Sequence, residues 1–127
     1  MLSTPFLAQR LKASTDFVEG SAGALLALSV TADPASIFPP PGTIVSGAAA
    51  VNACNEKGAA AFAPGAENDF EILHRDADER LAYWTGVQRS LVRMRGKEEP
   101  HLRVTEIFRK EAGHWKLLHR HADQLKE

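Results

Sequence analysis

"LRVTEIFRKEAGHWKLLHRHAD", Leu102 to Asp123, decides the fold. Apolar and polar residues alternate on both sides of Ala112-Gly113, the pattern of two strands joined by a tight turn. Side chains alternate along a strand, so Trp115, Leu117, His119 and His121 share one face. Lys116, Leu118 and Arg120 share the other. The first set is the more enclosed kind and is placed toward the core. A two-residue turn pairs Lys110 with Trp115, Phe108 with Leu117, Glu106 with His119 and Val104 with His121. A three-residue loop instead puts Ile107 opposite His119, because a one-residue slip turns every side chain over. The first register also sends Val104 and Phe108 inward and is preferred.

Working back, "DFEILHRDA" and "RLAYWTGVQRSLVRMR" also read as strands, with short turns at "DADE" and "GKEEP". Four strands with such connections form an antiparallel meander. Earlier still the period is helical. "TPFLAQRLKASTDFV" carries Phe6, Leu7, Leu11 and Phe17/Val18 near one stripe, with Thr4 as the expected cap and Pro5 at the first helical position. "GALLALSV" and "GAAAVNACNEKGAAAF" are two further helices, and "APGAEN" is read as a break after the third. "ASIFPPPGTIVSG" gives two short extended stretches around prolines, which cannot sit in a central strand. The expected architecture is α+β: three N-terminal helices packed on a strongly curved, mainly antiparallel sheet, enclosing a cone.

Bulk properties set limits. The 127 residues suit one domain, 1–127, with 44% hydrophobic and 24% charged residues, a globular composition. A net charge of −1 favours neither nucleic acid nor anionic lipid as partner. The start, "MLSTPFLAQRLK", has neither the basic opening nor the long apolar run of a leader or membrane span. Cys54 is alone and reads as a packed thiol, so a reduced, cytoplasmic setting is expected.

The closing hairpin resembles that of the SnoaL-like, or nuclear-transport-factor-2-like, superfamily, with its ketosteroid-isomerase-like and DUF4440-type members. There a strand with an Arg-x-Thr start turns at glycine into Trp-x-hydrophobic-hydrophobic-His-x-His. Helix order, "DPASIFPPPG…SG" and the long central strand agree over nearly the whole chain. The resemblance implies a cone-shaped fold that commonly pairs through its exposed sheet face, so a homodimer is expected there through Tyr83, Leu91, Ile107 and Leu118. It implies no single activity, because the superfamily includes isomerases, cyclases, dehydratases and kinase association domains. Ketosteroid isomerases carry a carboxylate base where this chain has Pro39, and place a tyrosine in the first helix, whereas Tyr83 lies in a strand. Asp33, the nearest acid, is read as a turn residue. Steroid isomerisation by that mechanism is therefore not expected.

The preferred register makes Glu106 and His119 a cross-strand pair inside the cone, and kinase association domains likewise carry a pocket-facing charge at the position matching Glu106. Such a pair suits acid–base chemistry near neutral pH, or simply closes the sheet. Glu106 and His119 are thus the candidate catalytic residues. Trp84, Gln88, Phe108, Trp115, Leu117 and His121 are the candidate pocket residues. In the long strand the face Trp84, Gly86, Gln88, Ser90 is placed inward, since the other face ends in Arg89, Arg93 and Arg95. Trp84 then forms an apolar wall or plain core, Gly86 leaves room for a ligand, and Gln88 offers a neutral polar group. His119, His121 and Glu106 formally make a two-His, one-carboxylate set, but adjacent same-face strand residues are ~7 Å apart and no metal is expected. No phosphate loop or dinucleotide fingerprint is present, so no cofactor is expected either. The expected function is binding of a small apolar ligand, with isomerase-, cyclase- or dehydratase-type chemistry, or a dimerisation module, as alternatives.

Overall fold

The computed structural model describes residues 2–94, 97–98 and 101–126. Helix α1 (Thr4–Val18) is capped by Ser3, whose hydroxyl accepts the Phe6 N–H at 3.2 Å. Thr4, the expected cap, is instead the first helical residue. The buried face of α1 carries Leu7, Arg10, Ser14 and Val18, so a guanidinium stands on the apolar stripe.

Helix α2 (Gly23–Ala27) and helix α3 (Ala48–Ala59) follow, separated by the short strands β1 (Ser36–Phe38) and β2 (Val45–Ser46) around the proline turn. The Asp33 carboxylate accepts the Ala48 N–H at 2.7 Å, fixing the start of α3 rather than facing the cone. Strand β3 (Phe62–Ala77) runs through "APGAEN", where the sequence suggested a break, and its ladder is irregular between Ala63 and Glu67. Then come β4 (Leu81–Met94), β5 (Lys97–Glu98), β6 (Leu102–Glu111) and β7 (His114–Gln124). Of the expected "GKEEP" turn, Gly96, Glu99 and Pro100 lie outside the described residues, as does Arg95.

The strand order is β2-β1-β7-β6-β4-β3, with β5 on β4. Among the named strands of the described residues only the β1–β7 pair is parallel, so the sheet is mainly antiparallel, as expected. The tip of the β6–β7 hairpin is a two-residue turn in which Ala112 (φ 53°) and Gly113 (φ 80°) both take left-handed backbone. That geometry matches the twist of the flanking strands.

The register at the tip is the preferred one, with Lys110 opposite Trp115 and Phe108 opposite Leu117. It then changes. A bulge between Ile107 and Phe108 on one strand and Leu117 and His119 on the other leaves Leu118 unpaired. From there Ile107 pairs with His119, Glu106 with Arg120 and Val104 with Ala122. The cause is the Leu117-Leu118 pair: strict alternation buries only one of two adjacent leucines. With the bulge, Leu117 joins the main core and Leu118 packs on Val30, Ala35 and Ala48. Leu118 is therefore not on the exposed sheet face, contrary to expectation.

The inward face of β4 is Trp84, Gln88 and Ser90, all buried. Gly86 does not leave space for a ligand. A Cβ built there lies 1.9 Å from the Glu71 carbonyl oxygen, so the glycine lets the backbone of β3 press onto β4 where that ladder is irregular.

Candidate functional site

Glu106 is fully buried beneath α1. Arg10 from α1 grips it as a fork, Nε to Oε1 at 2.9 Å and Nη2 to Oε2 at 2.6 Å. The Trp84 indole N–H donates to Oε1 at 2.9 Å, and Arg120 Nη1 donates to Oε2 at 2.6 Å. Each carboxylate oxygen thus accepts two hydrogen bonds, which uses its acceptor capacity. Burial by itself pushes the Glu106 carboxyl up. The charges and hydrogen bonds of Arg10 and Arg120 more than cancel that and hold it below the usual carboxylate range. An ionised, saturated carboxylate has no lone pair left with which to take a proton from a substrate.

A polar chain continues across the sheet. Arg120 Nη2 donates to Gln88 Oε1 at 2.5 Å, Gln88 Nε2 to Asn68 Oδ1 at 2.9 Å, and Asn68 Nδ2 to the Ser14 hydroxyl at 3.1 Å. Counted from Arg10 through Glu106 it begins and ends on α1, and so ties the helix to four strands, β6, β7, β4 and β3. Between the helices and the sheet lies a cavity of about 480 Å³. Phe17, Val18, Leu25, Leu102 and Leu117 supply apolar wall, and Arg10, Gln88 and Arg120 are among the polar residues that line it.

The expected Glu106–His119 pair does not form. His119 stands opposite Ile107 on the other face of the sheet, where its Nδ1 meets the Ser36 hydroxyl at 2.8 Å and its ring meets Phe38 edge-on at 4.7 Å. The bulge at Leu118 is the physical reason. Partial burial pulls the imidazole below its ordinary pKa, with charge from His121 adding to that against the Ser36 hydrogen bond. His121 is on that outer face too, half exposed and 3.8 Å from Asp123. With Glu106 inward and both histidines outward, the formal two-His, one-carboxylate set does not converge. Among the described residues no cluster of His, Cys, Asp and Glu suits a metal ion.

Of the remaining pocket candidates, Gln88 and Leu117 line the cavity. Trp84 and Phe108 are fully buried core, Trp84 stacked on Phe70 at 4.7 Å and Phe108 meeting Phe6 edge-on at 5.2 Å. Trp115 packs against the same core beneath Lys110. Sequence reasoning missed Arg10 and Arg120. Arg10 had a signal, because it falls on the buried stripe with Leu7, Ser14 and Val18. Arg120 had none without the bulge.

A SnoaL-like domain model matches residues 13–124. The chain belongs to the SnoaL-like domain family. Solved structures with this SnoaL-like fold include a protein from Thiobacillus denitrificans described as a candidate calcium/calmodulin-dependent protein kinase type II association domain. It is 21% identical over 99% of this chain and 98% of that one, with a TM-score of 0.74. An NTF2-like protein from Cytophaga hutchinsonii is 14% identical over 98% of this chain and 100% of its own, TM-score 0.69. A cystatin-like-fold protein from Caulobacter vibrioides is 12% identical over 96% and 86%, TM-score 0.74. At these identities the likeness shows the fold alone. No curated protein matches the chain. No helix among the described residues is long and apolar enough to cross a membrane.

Proposed function

We propose that this SnoaL-like domain is a small-molecule-binding protein whose ligand enters the cone with an apolar body. The observation that carries the reading is the cavity itself: about 480 Å³, walled largely by apolar side chains, with the linked polar group Arg10, Arg120 and Gln88 in its lining. Small-molecule sites have this size and this mixture. Acid–base catalysis by Glu106 with His119 lacks support, because the two side chains lie on opposite faces of the sheet. The test is native mass spectrometry of the purified protein with a panel of apolar small molecules, repeated on Cys54→Trp, which fills the cavity from α3. Binding by the wild type and its loss in the folded variant is the expected result. Equal binding by both overturns the site.

A homodimer through the outer sheet face is a second part of the reading. Leu81 and Tyr83 are exposed there, and Leu73 borders a shallow groove with Thr85, Arg103, Thr105 and His121. Light scattering at micromolar concentration should give twice the chain mass, and Tyr83→Lys should halve it. A monomeric wild type removes this part.

A further inference from the structure

The charge of the arginine cluster that lines the cavity does not balance. Two guanidiniums, Arg10 and Arg120, line it, and no carboxylate is among its lining residues. Behind them stands one carboxylate, Glu106, shared by both. Arg10 is only 2% exposed, and its Nη1 has no hydrogen-bond partner. Its guanidinium carbon lies over the Phe70 ring, 5.7 Å from the centroid, and an aromatic ring offers attraction but no ordinary acceptor. Other acids do not make up the difference: Glu67, Asp69 and Glu71 on β3 are exposed. A buried cluster with one cation too many is costly, because desolvation is repaid only when charges are matched and hydrogen-bonded.

We propose that the ligand of this cavity is an apolar-bodied monocarboxylate, its carboxylate seated against Arg10 and Arg120 beside Gln88. The proposal rests on the cavity being a ligand site and adds the ligand's chemical class. One negative charge brings the cluster to two anions and two cations. A carboxylate suits planar guanidinium donors, which bind it with directed, charge-assisted hydrogen bonds. A phosphate monoester brings nearly two charges and overshoots the balance. The apolar wall takes the rest of the molecule out of water. The hydrogen bond from Arg120 to Gln88, and from Gln88 to Asn68, holds the guanidinium in place before the ligand arrives.

The experiment is calorimetric titration with decanoate, 1-decanol, decylammonium and decyl phosphate, and with 4-phenylbutanoate against its alcohol. The expected result is that each carboxylate binds at least roughly tenfold more tightly than its alcohol, and that decylammonium does not bind. Arg120→Gln leaves the Arg10–Glu106 pair balanced and is expected to fold. It should bring the carboxylate-to-alcohol ratio to about one. Arg10→Gln serves as the second variant and should do the same. If alcohols bind as well as carboxylates, or decyl phosphate binds best, the monocarboxylate assignment is overturned while the cavity remains a ligand site. If none of the compounds binds, both readings fall.

Discussion

Two arginine–carboxylate forks stand on opposite faces of the same sheet. On the inner face Arg10 holds Glu106 through contacts of 2.9 and 2.6 Å. On the outer face Arg103 holds Asp123 through 2.7 and 2.8 Å, with the same Nε and Nη2 atoms. The geometry is nearly the same, but the surroundings are not: the inner pair is 2% and 0% exposed and the outer pair 64% and 37%. Water already solvates the outer charges and screens them, so their fork fixes local geometry and little else. Inside, each charge has given up its hydration, and the protein alone must replace it. Hydrogen-bond geometry by itself therefore says little about what an ion pair does.

The strongest way to break this comparison is Glu106→Gln. It leaves two buried guanidiniums without a counter-charge, and a loss of about 3–5 kcal/mol on chemical denaturation is expected. A loss no greater than that of a surface substitution would show that the inner face is wetter than its burial implies. The acid limb sharpens the same point. Glu106 is held below the usual carboxylate range, so its stabilisation is complete above the ordinary glutamate value. It is then lost as pH falls toward the folded-state value. Wild-type stability should fall across that window, and Glu106→Gln should flatten the curve. The smallest effect is expected at the outer fork: Arg103→Gln should melt with the wild type, and a clear drop would mean the outer pair is covered, as in a dimer.

Much of this was legible in the sequence because alternation and short turns are local. The β6–β7 turn, the inward face of β4 around Trp84 and the burial of Glu106 all follow from counting in twos. The partner of Glu106 did not. Counting in twos fails at Leu117-Leu118, where the chain breaks alternation to bury both side chains, and every assignment beyond that point changes face. His119 and His121 thus looked inward and Arg120 outward, the reverse of what the structure shows. Arg10 was hidden for another reason. A basic residue on an amphipathic helix is ordinarily placed in water, and only a buried acid far along the chain reverses that.

That distance has a consequence for synthesis. Arg10 and Glu106 are 96 residues apart. At 5–20 residues per second the helix carrying Arg10 is made roughly 5–20 seconds before its carboxylate. During that time β3, the strand α1 packs against, is made as well, but the guanidinium has no carboxylate to meet. The pair that ties α1 to β6 can therefore close only once β6 has been made.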